Sequence, residues 1–131
     1  MLRKVIPALL LAMAPLAQAQ EAWPTKPVTM IVAFPPGGVA DIVGRPLAVA
    51  MEKTLKQPVV VVNRTGAGGA VGTAAVAKAA PDGYTILMAL SSISIFPVSD
   101  PVNGRPAPYL LSDFAPIALV TADPTILVVA A

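Results

Sequence analysis

The feature that most constrains the fold is an alternation of short apolar runs with stretches of helical periodicity. Runs rich in Val and Ile at 28–34, 59–62 and 84–90 predict three buried strands. Between the first two, apolar residues recur at every fourth position from Val43 to Leu55, which predicts an amphipathic helix. An Ala-rich segment at 70–80 predicts a second helix. Strands that alternate with helices form βαβ units on a parallel sheet, so the predicted fold class is α/β.

The pattern weakens after the third predicted strand, where prolines are frequent. Two further apolar segments, at 114–120 and 125–129, predict two more strands. The last of them runs into the final residues of the sequence without a polar tail or a closing helix. We therefore expect residues 20–131 to be the N-terminal part of one lobe of a larger protein.

Residues 1–19 have the organisation of a cleaved secretory signal. Arg3 and Lys4 precede an apolar stretch, and a small-x-small site ends at Ala19. A membrane anchor is the alternative, but two prolines interrupt the stretch and it is shorter than the roughly 20 residues that cross a bilayer. No cysteine follows to carry a lipid. The predicted location of the mature chain is the periplasm.

Composition excludes several chemistries. The 131 residues include neither Cys nor His, so disulfides, Cys/His zinc sites, haem or iron–sulfur ligation and a Ser-His-Asp triad are all impossible. No cofactor or metal is predicted. The formal net charge is +2, but both basic residues of the signal leave with it, and seven basic and seven acidic residues remain. A neutral mature chain without a basic stripe does not suit nucleic acid.

Loops at the carboxyl ends of the strands are where ligands bind in open α/β sheets. The loops at 34–41 and 63–69 each carry glycines before a helix, so free backbone amides and the helix dipole could hold a carboxylate or phosphate. The alternative is that these glycines only permit tight turns. The residues predicted to contact a ligand are Phe34, Pro36, Gly37, Gly38, Val39, Ala40, Asp41, Asn63, Gly66, Ala67, Gly68, Ser91 and Ser92.

Other interpretations of these residues remain open. A dinucleotide site would need a third glycine where Val71 stands and an acid at the end of the next strand, and neither is present. Asp41 is more often a helix-capping or first-turn acid than a ligand group, and a loop residue such as Arg64 is more often solvated. For Ser91 and Ser92, ligand contact and local turn bonding are equally supported.

Five segments in this order resemble the Bug family, the TctC-type binding proteins of tripartite tricarboxylate transporters. They are WP-x-KPV at 23–28, FPPGG-x-x-DIV-x-RPL at 34–47, QPVVV-x-NR-x-GAGG at 57–69, AAPDGYTILM at 79–88 and DFAPI at 113–117. The resemblance implies a two-lobed periplasmic-binding-protein-like fold, of which the second lobe is missing here. It also implies main-chain and water-mediated binding of a small carboxylate, no enzymatic activity, and delivery to the membrane subunits of a transporter by a receptor that is monomeric when full length.

The sequence departs from the family pattern at three places. Ala40 stands where a Ser or Thr is usual, Thr65 stands where Pro is typical, and 94–103 does not follow the family. Two alternatives to a receptor remain. One is an exported α/β enzyme that uses Asp41 or Ser91, although no general base accompanies either serine, and the other is a truncated remnant without activity.

Overall fold

A three-stranded parallel sheet forms the centre of residues 22–122, the part of the chain that the computed structural model describes. The strands are β1 (Val28–Val32), β2 (Val59–Asn63) and β3 (Thr85–Met88), in the order β2-β1-β3. The register pairs Val28 with Val59 and Thr29 with Thr85, and both pairings are parallel. The predicted α/β class is therefore confirmed, whereas the predicted signal and the predicted strand at 125–129 lie outside the described residues.

The two crossover helices cover opposite faces of this sheet. Helix α1 (Val39–Leu55) joins β1 to β2 and contacts both of them, while α2 (Ala70–Ala77) joins β2 to β3 and contacts β1 and β3. The chain passes from β1 to β2 on one side and then back across β1 to β3 on the other side. Because both crossovers are right-handed, the two helices lie on different faces of the sheet. The central strand β1 is consequently buried along almost its whole length.

The core lies between α1 and the sheet. Its most deeply buried side chains come from β1, namely Val28, Met30 and Val32, and Ala40 and Ala48 of α1 pack against them. These small alanines let the helix approach the large β1 side chains closely. The partly buried residues around this core are Phe34, Val43, Leu47, Met51, Leu55, Val61, Tyr84, Ile86 and Leu90.

Strand β2 is covered on one face only. Val59 is buried, whereas Val60 and Val62 are 49% and 41% exposed, as expected when alternate side chains of an edge strand point to opposite faces. The prediction of a fully buried second strand is therefore wrong for the face that carries Val60 and Val62. A continuous apolar run could not distinguish one covered face from two.

Helix α1 ends by a backbone reversal that leads directly into β2. Lys56 adopts a left-handed conformation and its amide donates to the Glu52 carbonyl. The Glu52 carboxylate accepts a hydrogen bond of 2.9 Å from the amide of Val59, the first residue of β2. Pro46 lies inside α1, where its ring removes one helical N–H donor. The helix nevertheless continues for another nine residues.

The C-terminal third of the described chain differs from the prediction. A short helix α3 (Phe96–Val102) follows a 3-10 turn at Ser91–Ser94, in a region where no helix was predicted. Residues 114–120 form no strand, and Ile117 and Leu119 are more than 80% exposed. The prediction of a strand there is wrong, because apolar character was present without a neighbouring strand to pair with it.

The segment before β1 contacts the turn before β3, at the edge of the sheet opposite the loops at 34–41 and 63–69. Tyr84 Oη accepts a hydrogen bond of 2.9 Å from the amide of Thr25, and the Lys26 ammonium lies 4.3 Å from the centre of the Tyr84 ring. The Asp82 carboxylate accepts from the Tyr84 amide and lies 3.9 Å from Lys26 Nζ.

Across residues 22–122, no helix has the length and apolar character needed to cross a membrane.

Candidate functional site

Three loops meet at the carboxyl edge of the sheet. They leave the ends of β1, β2 and β3, and the 3-10 turns at Ala67–Gly69 and Ser91–Ser94 contact each other. The chain order reverses beside β1, since β2 lies on one side of it and β3 on the other. Such a reversal opens a crevice between loops that leave the sheet in different directions, and ligands of open α/β folds bind there.

The β1–α1 loop presents backbone donors at the start of a long helix. Gly37 has a φ of +78°, which a glycine adopts without strain, and Gly38 is the N-cap of α1. The Gly38 amide donates to the Pro35 carbonyl, while no hydrogen bond among the described residues uses the amides of Val39 and Ala40. These two amides belong to the first turn of α1, where the helix dipole favours a negative charge.

The β2–α2 loop is shaped by three glycines with positive φ angles. Gly66, Gly68 and Gly69 have φ values of +136°, +62° and +100°. The Phe34 ring, at the end of β1, lies so close to Gly69 that a Cβ there would be 2.9 Å from it, and the Phe96 ring of α3 lies similarly close to Gly68. Within residues 22–122, no hydrogen bond uses the amides of Ala67 and Gly68. The rings of Phe34 and Phe96 therefore pack against the turn at Ala67–Gly69, and the amides of Ala67 and Gly68 are available to a ligand.

Asp41 forms the centre of a polar network that joins the first two loops. Its Oδ2 atom accepts hydrogen bonds of 2.9 Å from the Gly37 amide and from Arg45 Nε, and its Oδ1 atom accepts one of 2.8 Å from Asn63 Nδ2. Asn63 also donates to the Phe34 carbonyl at 3.0 Å and accepts from Arg45 Nη2 at 2.9 Å. The carboxylate is buried, with 4% of Asp41 exposed, and the protein itself satisfies both of its oxygens.

This environment favours the ionised form of Asp41. The hydrogen bond from Arg45, then those from the Gly37 amide and Asn63, hold the pKa of the Asp41 carboxyl far below its usual range. A carboxyl whose pKa is lower in the folded chain stabilises the fold above its unfolded pKa, near 4, and loses that contribution as the pH falls. We therefore expect stability to decrease on acidification below about pH 4.

The measurement for this expectation is urea unfolding at several pH values, for the chain and for Asp41→Asn. The variant has no titrating group at this position, so the slope of its unfolding free energy against pH should be smaller below about pH 4. Equal slopes for the two proteins would contradict a lowered pKa of the Asp41 carboxyl in the folded chain.

The third loop supplies hydroxyl groups but no comparable network. Ser91 is exposed and Ser92 is half-buried, and the Ser94 hydroxyl donates to the Ser91 carbonyl at 2.8 Å. The Tyr109 hydroxyl donates to the Ile93 carbonyl at 3.0 Å and anchors the turn from the other side. The amides of Ser91 and Ser92 have no hydrogen-bond acceptor among the described residues.

The structure brings the predicted binding residues to one edge of the sheet, although they differ in what they can offer a ligand. Val39, Ala67 and Gly68 offer backbone amides at exposed positions, whereas Ala40 is fully buried and the polar atoms of Asp41 and Asn63 are engaged within the protein. The sequence reasoning missed Arg45, which lies four residues after Asp41 on α1. That i,i+4 spacing of opposite charges was the available signal.

The chemistry that this edge supports is recognition of an anion by uncharged donors. Backbone amides at adjoining loops can approach a carboxylate without a bulky side chain between them. Within residues 22–122, no group of three or more acidic side chains has a geometry that could hold a metal ion. A parallel βαβ lobe with available amides in the loops at its switch point is an open α/β domain of the ligand-binding class.

Comparisons with known proteins place the chain within this class. The profile of the tripartite tricarboxylate transporter receptor family, TctC, matches residues 43–131, so the chain belongs to that family. It is 46% identical over 110 residues to protein BugT of Bordetella pertussis strain Tohama I, a match that covers 82% of this chain and 33% of BugT. The family is one of periplasmic solute-binding proteins.

Two further relatives extend the comparison. A UPF0065 protein from the tcbD-tcbE intergenic region of Pseudomonas sp. strain P51 is 39% identical, with 98% of this chain and 38% of that protein covered. A solved structure described as a periplasmic transporter is 41% identical with a TM-score of 0.57, and the match covers 67% of this chain and 29% of that one. The chain thus spans about a third of the length of the curated relatives that it matches.

Proposed function

We propose that residues 20–131 form the N-terminal part of one lobe of a periplasmic receptor for a small organic carboxylate. The observation that carries this proposal is the pair of adjoining loops whose exposed amides, at Val39, Ala67 and Gly68, have no protein acceptor among the described residues. The buried acid nearest to them, Asp41, is neutralised by Arg45, so an anion would not meet an uncompensated negative charge.

The proposed ligand is a dicarboxylate or tricarboxylate, and the proposed partner is the membrane part of a tripartite tricarboxylate transporter. Membership of the TctC receptor family supports both choices. Backbone amides recognise the carboxylate group and do not distinguish the carbon skeleton to which it is attached. Selection among carboxylates would therefore depend on contacts beyond these loops.

The test is a titration of the ¹⁵N-labelled chain with fumarate, followed by the amide NMR signals. Fumarate should shift the signals of Val39, Ala67 and Gly68, whereas its uncharged diamide, of the same size, should not. The affinity should change little between about pH 6 and 8, because no unperturbed side chain of a histidine-free chain titrates there. Equal responses to fumarate and its diamide, or a tenfold loss of affinity in that range, would contradict amide recognition of a carboxylate.

An exported α/β enzyme that uses Asp41 or Ser91 is the alternative of another class. Both oxygens of Asp41 accept hydrogen bonds from protein donors, so the carboxylate has little capacity to take a proton from a substrate. Unchanged fumarate after prolonged incubation with the chain would favour the receptor, and its conversion would favour the enzyme.

Export is proposed to remove residues 1–19. We expect the chain expressed in a Gram-negative host to be found in the periplasm with Gln20 at its N-terminus, since the small residues at 17 and 19 fit signal peptidase. Intact-mass analysis of the periplasmic fraction measures this. A membrane-bound species that retains Met1 would show that the segment is an anchor.

A further inference from the structure

A closed set of hydrogen bonds links three segments around Asp41. They are the β1–α1 loop through the Phe34 carbonyl and the Gly37 amide, helix α1 through Arg45, and the end of β2 through Asn63. All of the contacts lie between 2.8 and 3.0 Å. No side chain within residues 22–122 leaves a fully buried polar atom without a partner, so the network is complete.

The network has no N–H donor left on its two central side chains. An amide side chain has two N–H donors, and Asn63 uses them on Asp41 Oδ1 and the Phe34 carbonyl. The Asp41 carboxylate has no donor and already accepts three hydrogen bonds, two on one oxygen and one on the other. An anion could therefore take a hydrogen bond from Asn63 only after a protein hydrogen bond had been broken.

The bond to Gly37 connects this network to the loop that carries the available amides. Gly37 has nothing within 4 Å of the position that a Cβ would occupy, so packing does not fix its left-handed conformation. Its amide is held by Asp41 instead, and the next residues continue directly into Val39 and Ala40. The shape of the loop is thus set by a side chain on the helix that follows it.

We propose that Asp41 and Asn63 are positioning residues that hold the β1–α1 loop in its binding geometry without touching the ligand, and that Arg45 anchors the Asp41 carboxylate in this network. This inference rests on the proposed function. Because the loop is already ordered, less conformational entropy is lost when an anion binds to its amides. Arg45 serves a second purpose, since its charge compensates the Asp41 carboxylate, which lies two residues after the available Val39 amide.

The substitution Asp41→Asn distinguishes positioning from simple electrostatics by the sign of its effect. Removal of a negative charge near an anion site would by itself raise the affinity for fumarate. If Asp41 positions the loop, the affinity falls instead, because an Asn side chain brings its own N–H donors against those of Arg45 and Asn63. The loss of one charge-assisted hydrogen bond corresponds to a decrease of about tenfold.

Asp82→Asn is the matched control. Asp82 also accepts a hydrogen bond from a backbone amide and pairs with a cation, but it lies at the opposite edge of the sheet. Fumarate carries neither a hydroxyl nor an amine, so a lost contact between Asp41 and such a ligand group cannot explain a change. The fumarate affinity of the folded population is measured by amide NMR for the chain and for both variants.

The second measurement is hydrogen exchange of the Gly37 amide, which reports on the loop whether or not fumarate binds. We expect faster exchange in Asp41→Asn and in Asn63→Leu, and an unchanged rate in Asp82→Asn. Higher or equal fumarate affinity in Asp41→Asn, or unchanged Gly37 exchange, would overturn the positioning role. If the unsubstituted chain does not respond to fumarate, the proposed function fails, and the exchange rates alone decide whether the network orders the loop.

Discussion

Gly72→Ala should strongly destabilise the chain although it adds a single methyl group. Gly72 lies in α2, and a Cβ there would be 2.9 Å from Ala33 Cα and closer still to the carbonyl oxygen of Arg64. Both obstacles are backbone atoms, so relief requires α2 to move away from β1. Overpacking of this kind costs about 1–3 kcal/mol or more, a large part of the roughly 5–15 kcal/mol that stabilises a typical domain.

Gly44→Ala provides the matched control for this substitution. Gly44 is also a buried glycine in a helix that packs on β1, but a Cβ there would meet only side-chain atoms of Met30, Val32 and Met88 at 3.5 Å. That separation is ordinary van der Waals contact, and Ala favours a helix over Gly by up to about 1 kcal/mol. Urea unfolding should show a lower midpoint for Gly72→Ala and an equal or higher midpoint for Gly44→Ala. Equal destabilisation by both would mean that the close approach of α2 to β1 does not account for the effect of Gly72→Ala.

The chain should bind fumarate weakly, with a dissociation constant in the millimolar range. Gly37, Gly66 and Gly68 are exposed, so the amides beside them compete with water for the anion. A hydrogen bond to a charged group contributes about 1.5–3 kcal/mol net, whereas association costs at least about 4 kcal/mol. A few such bonds leave a surplus close to the roughly −4 kcal/mol of a millimolar complex.

The amide NMR titration described above measures this constant directly, since it detects weak complexes. Chloride at the same ionic strength is the control for nonspecific screening. Micromolar affinity in the isolated chain would mean that these loops exclude water from a bound anion despite their exposure.

The elements from β1 to β3 were predictable because each has a local signature. The run at 28–34 and the fourfold spacing from Val43 to Leu55 reflect burial of one strand and one helix face, and both elements lie where they were predicted. Helix α3 was missed because Pro97 and Pro101 suggested a loop. Pro97 occupies the first turn of α3, where its missing N–H would have no helical acceptor in any case.

The features of the predicted site also differ in whether they depend on local sequence or on long-range contacts. Glycines just before a helix indicate where the available amides lie, because the conformation of such a loop depends on consecutive residues. The role of Asn63 depends on contacts with Phe34 and Asp41, more than twenty residues away in the chain, and on a register that no local pattern contains. Whether Asp41 faces a ligand or the protein is decided by those contacts.

The position of β1 in the middle of the sheet has a consequence for how the chain reaches its native state. Strand β1 is synthesised first but cannot pair until β2 and then β3 are present, since both of its neighbours come later in the sequence. Such distant pairings make folding slow, and meanwhile VTMIV is an uncharged, β-prone segment with two open edges. Folding yield should therefore depend on how well other molecules shield this segment before Met88 becomes available.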